Sequence, residues 1–381
     1  MSDARQPSTP SWPARLQRAW PRHALAWLVS ALAACTTTGE SHMAPQPHAQ
    51  VEAMMVAYAE EGGPGAALLV LHDGAPVLRA AYGLADLEQD RPVMPATAFR
   101  LASVSKQFTA AAILLLAQDG TLSIDDPLRR WLPSLPAATE GITLHHLLTH
   151  TSGLVDYEDL LPEPIDGQVQ DADVLRLLEA VDRLDFAPGS RYRYSNSGYV
   201  LLGLVVARAS GRPFPEFLRE RIFDPLGMHA VARVDGGPPV PQRAYGYSQR
   251  DGRWVRTDQG PTSATLGDGG IYASIDDLAK WDAALADDRL LTAASRALAF
   301  AAHAATGEPD VDAYGYGWRL HASDRGPLQW HSGESIGFRN VILRWPEQAL
   351  TVVLLSNRND PEPYALARRI AAAYMPGPPQ R

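Results

Sequence analysis

Ser103 and Lys106 stand three residues apart in the stretch Arg100-Leu101-Ala102-Ser103-Val104-Ser105-Lys106-Gln107-Phe108-Thr109-Ala110, which runs on into an apolar segment ending at Ala117. A helix starting near Ala102 and reaching about Gln118 puts both side chains on one face, with the hydroxyl in the first turn. That spacing suits a serine nucleophile. A neighbouring amine held neutral can take the hydroxyl proton, and a helix N-terminus favours negative charge developing beside it. Composition adds to the argument, because of 34 basic residues only Lys106 and Lys280 are lysines. Arginine keeps its charge at any working pH, whereas a buried lysine can lose its proton and act as a base, so Lys106 reads as a residue kept for chemistry. The opposing reading is an ordinary helix with a surface lysine, since Ser-x-x-Lys recurs by chance.

Two further motifs can serve such a nucleophile. Tyr194-Ser195-Asn196 lies in a polar turn ahead of a helix expected to begin near Tyr199. The phenol of Tyr194 can relay protons, and the amide of Asn196 can hold a substrate carbonyl and the lysine together, although a plain helix cap explains the same residues. His331-Ser332-Gly333 reads as a strand edge where a substrate backbone can approach, its N–H groups completing an oxyanion hole with that of Ser103. Glu334 follows directly, and its carboxylate disfavours acidic substrates if it points inward.

Rival chemistries exist. His145, His146 and His150 fall within six residues, and His146 and His150 are spaced i,i+4, but no glutamate takes the His-Glu-x-x-His position and no third ligand is evident, so packing and helix-end hydrogen bonds explain them better than a metal. Gly333-Glu334-Ser335-Ile336-Gly337 matches the Gly-x-Ser-x-Gly elbow and makes Ser335 a rival nucleophile. That elbow needs a helix after it and a later histidine. Here strands follow, and no histidine occurs after His331.

The elements that must position these residues follow from the apolar pattern. A hairpin is expected over Ala66 to Leu71 and Pro76 to Tyr82, turned at His72-Asp73-Gly74. Helices are expected over Asp171 to Leu184, Tyr199 to Ala209, Pro215 to Ile222 and Ile275 to Ala286, with a tight loop at Gly267-Asp268-Gly269-Gly270. A strand is expected over Tyr314 to Leu320, a hairpin over Val341 to Trp345 and Leu350 to Ser356, and a closing helix over Pro363 to Tyr374. No internal repeat is visible.

The 381 residues, 46% hydrophobic and 20% charged, suffice for one large domain or two lobes. The net charge of −9 and the lack of any basic stripe argue against nucleic acid and for a small-molecule or peptide partner. The single cysteine, Cys35, excludes an intrachain disulfide and a multi-cysteine metal site. Arg15, Arg18 and Arg22, then an apolar run from Ala24 to Ala34, have the order of a secretory signal too short to stay as a membrane span. Leu32-Ala33-Ala34-Cys35 closes it and resembles a bacterial lipoprotein box. The reading is therefore a signal peptide over residues 1–34, a flexible tether over 35–50 and a folded domain over 51–376. The protein is expected in the bacterial cell envelope, either periplasmic or anchored by lipid on Cys35, on the periplasmic side of the outer membrane. Plain cleavage with an incidental cysteine is the alternative.

Taken together, Ser-x-x-Lys at Ser103, Tyr-x-Asn about 90 residues on and His-Ser-Gly near the C-terminus resemble the serine β-lactamase and penicillin-binding-protein superfamily, in particular its class C β-lactamase-like and D,D-carboxypeptidase-like branch. Leu147-Leu148-Thr149-His150-Thr151-Ser152-Gly153-Leu154, Pro188-Gly189 and Gly269-Gly270-Ile271-Tyr272-Ala273-Ser274 are further stretches typical of it. The resemblance runs from about Val51 to Tyr374. It implies an α/β (α+β) fold, β-lactamase/transpeptidase-like, with an antiparallel sheet flanked by helices and an inserted all-α lobe. The sheet lobe would come from about 51–105 and 245–376, the helical lobe from about 106–244. It implies Ser103 as acylated nucleophile, Lys106 and Tyr194 sharing its proton, Asn196 on the substrate carbonyl, and His331 and Ser332 at the substrate's polar end. Which of Lys106 and Tyr194 is the base stays open. Many members have lysine where this chain has His331, and the histidine form resembles esterases, D-amino-acid peptidases and some carboxypeptidases, which puts efficient β-lactam hydrolysis in doubt. No metal or organic cofactor is implied. A non-catalytic scaffold that keeps the fold is the reading from another class.

Overall fold

A computed structural model describes residues 47–233 and 239–375. Leucine- and valine-rich runs make two strands near the N-terminus, β1 (Ala66–His72) and β2 (Ala75–Tyr82), and the C-terminal part supplies β3 (Ala304–Glu308), β4 (Val311–Tyr314), β5 (Arg319–Ser323), β6 (Gly326–Ser335), β7 (Phe338–Trp345) and β8 (Leu350–Ser356). They pair as one antiparallel sheet in the order β3-β4-β5-β6-β7-β8-β1-β2. The β1–β8 contact joins the N-terminal and C-terminal parts of the described chain, with Ala66 opposite Ser356 and His72 opposite Leu350.

The helices that matter for the site are α1 (Pro47–Met54), α2 (Lys106–Gln118), α3 (Leu144–Leu148), α4 (Asp171–Glu179), α5 (Asn196–Ser210), α6 (Ile275–Ala284) and α7 (Pro363–Tyr374). Both faces of the sheet are covered, which is why β1 and β8 read as unbroken apolar runs rather than alternating ones. Leu68, Val70, Val352 and Leu354 pack with α1 and α7, while Leu69, Leu71, Val353 and Leu355 belong to the larger core that includes α2, α5 and α6. Each such fully buried aliphatic side chain contributes roughly 1.5–3 kcal/mol. The outcome is the antiparallel, helix-flanked α/β fold expected from the motifs. Among the described residues no strand occurs between Arg100 and Val231, and α2 to α5 pack together there.

Several elements differ from the sequence reading. The strand expected over Tyr314 to Leu320 is broken in two, because the Gly315 N–H bonds the Trp318 carbonyl and the Tyr316 N–H bonds the Ala299 carbonyl, taking these groups out of the ladder. The α4 helix stops at Glu179, five residues short of the expected end, where the loop pairs elsewhere: Asp182 accepts from the Ala138 N–H and Asp185 N–H bonds Gly153. The α5 helix starts at Asn196, three residues early, so that Asn196 lies in a helical first turn rather than in a free loop. Helical order at Pro47 reaches into the segment read as a tether, and Val231–Ala232 is a strand within the segment read as helical. Cys35 and the signal segment lie outside the described residues.

Candidate active site

The nucleophile segment is fixed by the backbone on either side of it. A small sheet of Phe99–Arg100, Ile271–Ala273 and Val231–Ala232 leads into it. Leu101 N–H bonds the Ile271 carbonyl at 2.8 Å, the Ile271 N–H bonds Ser105 Oγ at 3.2 Å, and fully buried Asn340 on β7 donates Nδ2 to the Arg100 carbonyl at 2.8 Å. Ala102, next to Ser103, has φ +48°, a left-handed setting that costs an L-residue about 1 kcal/mol and turns the chain into the following 3₁₀ turn, Ala102–Ser105. In a 3₁₀ turn residues i and i+3 eclipse. Hence Lys106 Nζ lies 3.1 Å from Ser103 Oγ.

Lys106 is fully buried and all three ammonium donors are directed: to Ser103 Oγ, to Asn196 Oδ1 at 2.8 Å and to the Asp268 carbonyl at 3.0 Å. Only the serine partner can also donate, so the proton of that contact can lie on either side. Asn196 is held at both ends, its N–H on Asp156 at 2.7 Å and its Nδ2 on Glu158 at 2.9 Å, which orients Oδ1 toward the lysine. The Tyr194 ring centroid lies 4.9 Å from Lys106 Nζ. It rests on the His150 ring at 4.3 Å, and the Arg319 guanidinium lies 5.3 Å from its centroid. The structure thus brings Ser103, Lys106, Tyr194 and Asn196 into one cluster.

His331 is placed otherwise than expected. It is buried, its Nδ1 donating to the Ser332 carbonyl at 2.7 Å and its Nε2 accepting from Tyr314 at 2.9 Å, so neither ring nitrogen is directed to a substrate. Burial, then the charges of Arg319 and Lys106, hold it well below the ordinary imidazole range, and it is neutral. Ser332 is half-buried, Gly333 is buried against Leu101, and Glu334 is exposed and ion-paired with Arg339 at 2.5 Å. That partner partly offsets the repulsion of acidic substrates expected from Glu334. Ser335, the rival nucleophile, sits at the hairpin end of β6, its hydroxyl buried without a hydrogen-bond partner, and β7 follows where an elbow needs a helix.

The paired histidines of the metal reading do not share a face. The α3 helix ends at Leu148 and His150 is left-handed, with φ +57°. His146 Nδ1 accepts from the Thr143 N–H at 3.1 Å, and His150 Nδ1 accepts from the Ser195 N–H at 3.1 Å. Burial foremost, then Lys106, keeps His150 neutral.

A cleft of about 330 Å³ opens beside Ser103, with Asn196, Glu158, Asp268, Glu334 and Ile336 in its wall. Sequence reasoning missed Glu158, Asp268 and Arg319. Asp268 alone carried a signal, an aspartate set among the glycines of the 267–270 loop. Burial raises the Glu158 and Asp268 carboxyls above the usual carboxylate range, and pushes Asp171 at the start of α4 up to about 7.

The beta-lactamase family model matches residues 48–374. A penicillin-binding protein of Bacillus subtilis is 32% identical over 326 residues, 81% of this chain and 71% of that protein. A D-aminopeptidase of Gluconobacter oxydans is 30% identical, over 84% of this chain but 61% of its own length, so the chain spans less than two thirds of that relative. The structure of a D-amino acid amidase from Ochrobactrum anthropi superposes with a TM-score of 0.74 at 27% identity, covering 86% of this chain and 98% of that one.

Proposed function

The chain belongs to the beta-lactamase family and is a serine hydrolase, and from that premise we propose that it cleaves ester, amide or peptide bonds through an acyl-enzyme on Ser103. The observation that carries this is the 3.1 Å contact of Ser103 Oγ with an amine fixed by Asn196 Oδ1 and the Asp268 carbonyl. As Oγ bonds to the substrate carbonyl carbon, its proton passes to Lys106 Nζ. Tyr194, packed against the same amine, carries that proton on to the leaving nitrogen or oxygen as its bond to the carbonyl carbon breaks. Water then attacks the acyl carbon and Ser103 regains a proton. In this reading the oxyanion hole is assigned to the N–H groups of Ser103 and of the Gly333–Glu334 edge, which abuts the nucleophile turn at Leu101.

The acidic wall of the cleft supports an uncharged or amine-bearing acyl group, in keeping with the named activities of the aminopeptidase and amidase relatives. Neutral, inward-turned His331 gives no fixed cation for a β-lactam carboxylate. Among the described residues no helix is long and apolar enough to cross a membrane. We place the enzyme in the bacterial envelope, held by lipid on Cys35, on the strength of the Leu-Ala-Ala-Cys box. The deciding experiment is a panel of p-nitrophenyl esters, D-alanyl amides and peptides, and nitrocefin, with fluorophosphonate labelling alongside. Turnover and labelling lost in Ser103→Ala and kept in Ser335→Ala support the reading; labelling that follows Ser335 overturns it.

A further inference from the structure

His150 lies just beyond α3 and makes two contacts that bracket Tyr194. Its carbonyl accepts the Arg193 N–H at 2.9 Å, and its ring Nδ1 accepts the Ser195 N–H at 3.1 Å. The chain is extended at Ser195, with φ −149°, and in extended chain the N–H groups of alternate residues point to one side. One carbonyl and one ring nitrogen of a single residue therefore take the place of two rungs of a ladder. His150 holds this pose with a left-handed backbone, φ +57°, which is uncommon outside glycine and persists only where the surroundings over-determine it. A neutral ring that accepts at Nδ1 carries its proton on Nε2, and that buried nitrogen has no hydrogen-bond partner. An unpaired buried donor is a cost that ordinary packing would remove.

The same ring backs the phenol. Its centroid lies 4.3 Å from that of Tyr194 with the planes 32° apart, and it packs in turn on Tyr314 of β4 at 4.6 Å and Tyr199 of α5 at 5.1 Å. Both of those supports are tied down, Tyr199 donating to the Leu148 carbonyl at 2.9 Å and Tyr314 to His331 Nε2 at 2.9 Å. Tyr194 is thus fixed through its ring and through the peptide groups on either side, with Lys106 Nζ 4.9 Å from its centroid. We infer that His150 is a positioning residue: by clamping the backbone at Arg193 and Ser195 and backing the ring between them, it aims the Tyr194 hydroxyl at the leaving group. It is 2% exposed and so reaches substrate only through Tyr194. This rests on the reading that Tyr194 delivers the leaving-group proton.

The test compares kcat/KM on the p-nitrophenyl and the unsubstituted phenyl ester of one acid, for wild type, His150→Phe, His150→Asn, Tyr194→Phe and the double variant of His150→Asn with Tyr194→Phe, with thermal melts in parallel. In an acyl-enzyme route this constant reports acylation, in which p-nitrophenolate departs without a proton and phenolate gains from one. His150→Phe keeps a ring and loses Nδ1. It is expected to lose about tenfold more activity on the phenyl ester than on the p-nitrophenyl ester, a part of the 10²–10⁴-fold or so that positioned proton transfer supplies. His150→Asn suits the left-handed backbone and can still accept from Ser195, so it should shift the ratio the same way by less, and it decides the matter if the phenylalanine variant does not fold. In the Tyr194→Phe background it should leave the ratio where it is. Equal losses on the two esters, no loss at all, or a further shift in that background overturns the proposal, because a residue that only packs lowers both rates together. Failure of the underlying reading looks different: Tyr194→Phe would itself lose both activities equally.

Discussion

Gly333 is where the sheet touches the nucleophile turn, and its replacement by alanine tests whether that contact sets the catalytic geometry. A Cβ built at Gly333 falls 2.0 Å from the Leu101 carbonyl oxygen and 3.3 Å from Val104 Cγ2. Ordinary contact to a carbonyl oxygen needs more than about 3 Å, so β6 and the 3₁₀ turn must part by about 1 Å. Neither side yields easily. Leu101 is tied to Ile271, and Gly333 is paired with Asn340 on β7, while β5 anchors β6 up to Trp330. The overpacking should cost about 1–3 kcal/mol of stability. The same displacement separates Ser103 from the Gly333–Glu334 edge, and a misplacement of about 1 Å at reacting atoms costs on the order of 10²-fold in rate. The assay is kcat/KM on a p-nitrophenyl ester, measured well below the melting temperature, with chemical denaturation of the same sample. Gly141→Ala, where the nearest atom to a new Cβ is 3.9 Å away, is the control and should be near neutral. A folded Gly333→Ala enzyme with wild-type kcat/KM would refute the claim that this edge and Ser103 work as one unit.

Lys106→Arg keeps the charge, removes a deprotonatable amine and puts a planar fork where Nζ meets three acceptors, so kcat should fall by at least about 10²-fold, read by stopped-flow acylation; near-normal acylation would remove Lys106 from the mechanism. The raised carboxyl of Asp171 binds its proton more tightly folded than unfolded, so the stability it confers is full below about pH 4 and is lost as pH rises toward about 7. Asp171→Asn should therefore gain Tm relative to wild type at pH 8 and show no gain at pH 4, a difference that melts across that range will show or exclude. Cys35→Ala should abolish incorporation of labelled fatty acid; label that persists would dismiss the lipid anchor.

What the sequence revealed and what it withheld divide along a physical line. Ser103, Lys106, Tyr194 and Asn196 were legible because the first pair is set by one local turn and the second by a helix start. The scarcity of lysine pointed to Lys106, which is fully buried, whereas Lys280 has a 40% exposed side chain. His331 was legible as a strand residue, but not in its direction. The hydroxyl that captures its Nε2 belongs to Tyr314, two strands away in the sheet, and only the register of β4, β5 and β6 brings the two together. Arg319 extends from β5 to the ring of Tyr194 in the turn ahead of α5, a contact between distant segments that no local spacing reveals. Glu158 joins the site through a loop contact with Asn196 that no spacing announces. Apolar periodicity located the central strands well, while the break at Gly315 and the edge strand β3 depended on backbone pairings with distant residues.

The pairing of β1 with β8 also governs when the enzyme becomes one. Some 290 residues separate Ala66 from its partner Ser356, and contacts of such separation form late, after the entropy of closing a very long loop has been met. The turn bearing Ser103 depends on that closure, since Asn340 of β7 holds the Arg100 carbonyl and Gly333 of β6 abuts Leu101. A chain still emerging from the ribosome can form the helix with its serine and lysine long before it has the strands that seat them. The seat of the nucleophile is therefore complete only when the hairpin of β7 and β8 docks between β1 and the rest of the sheet.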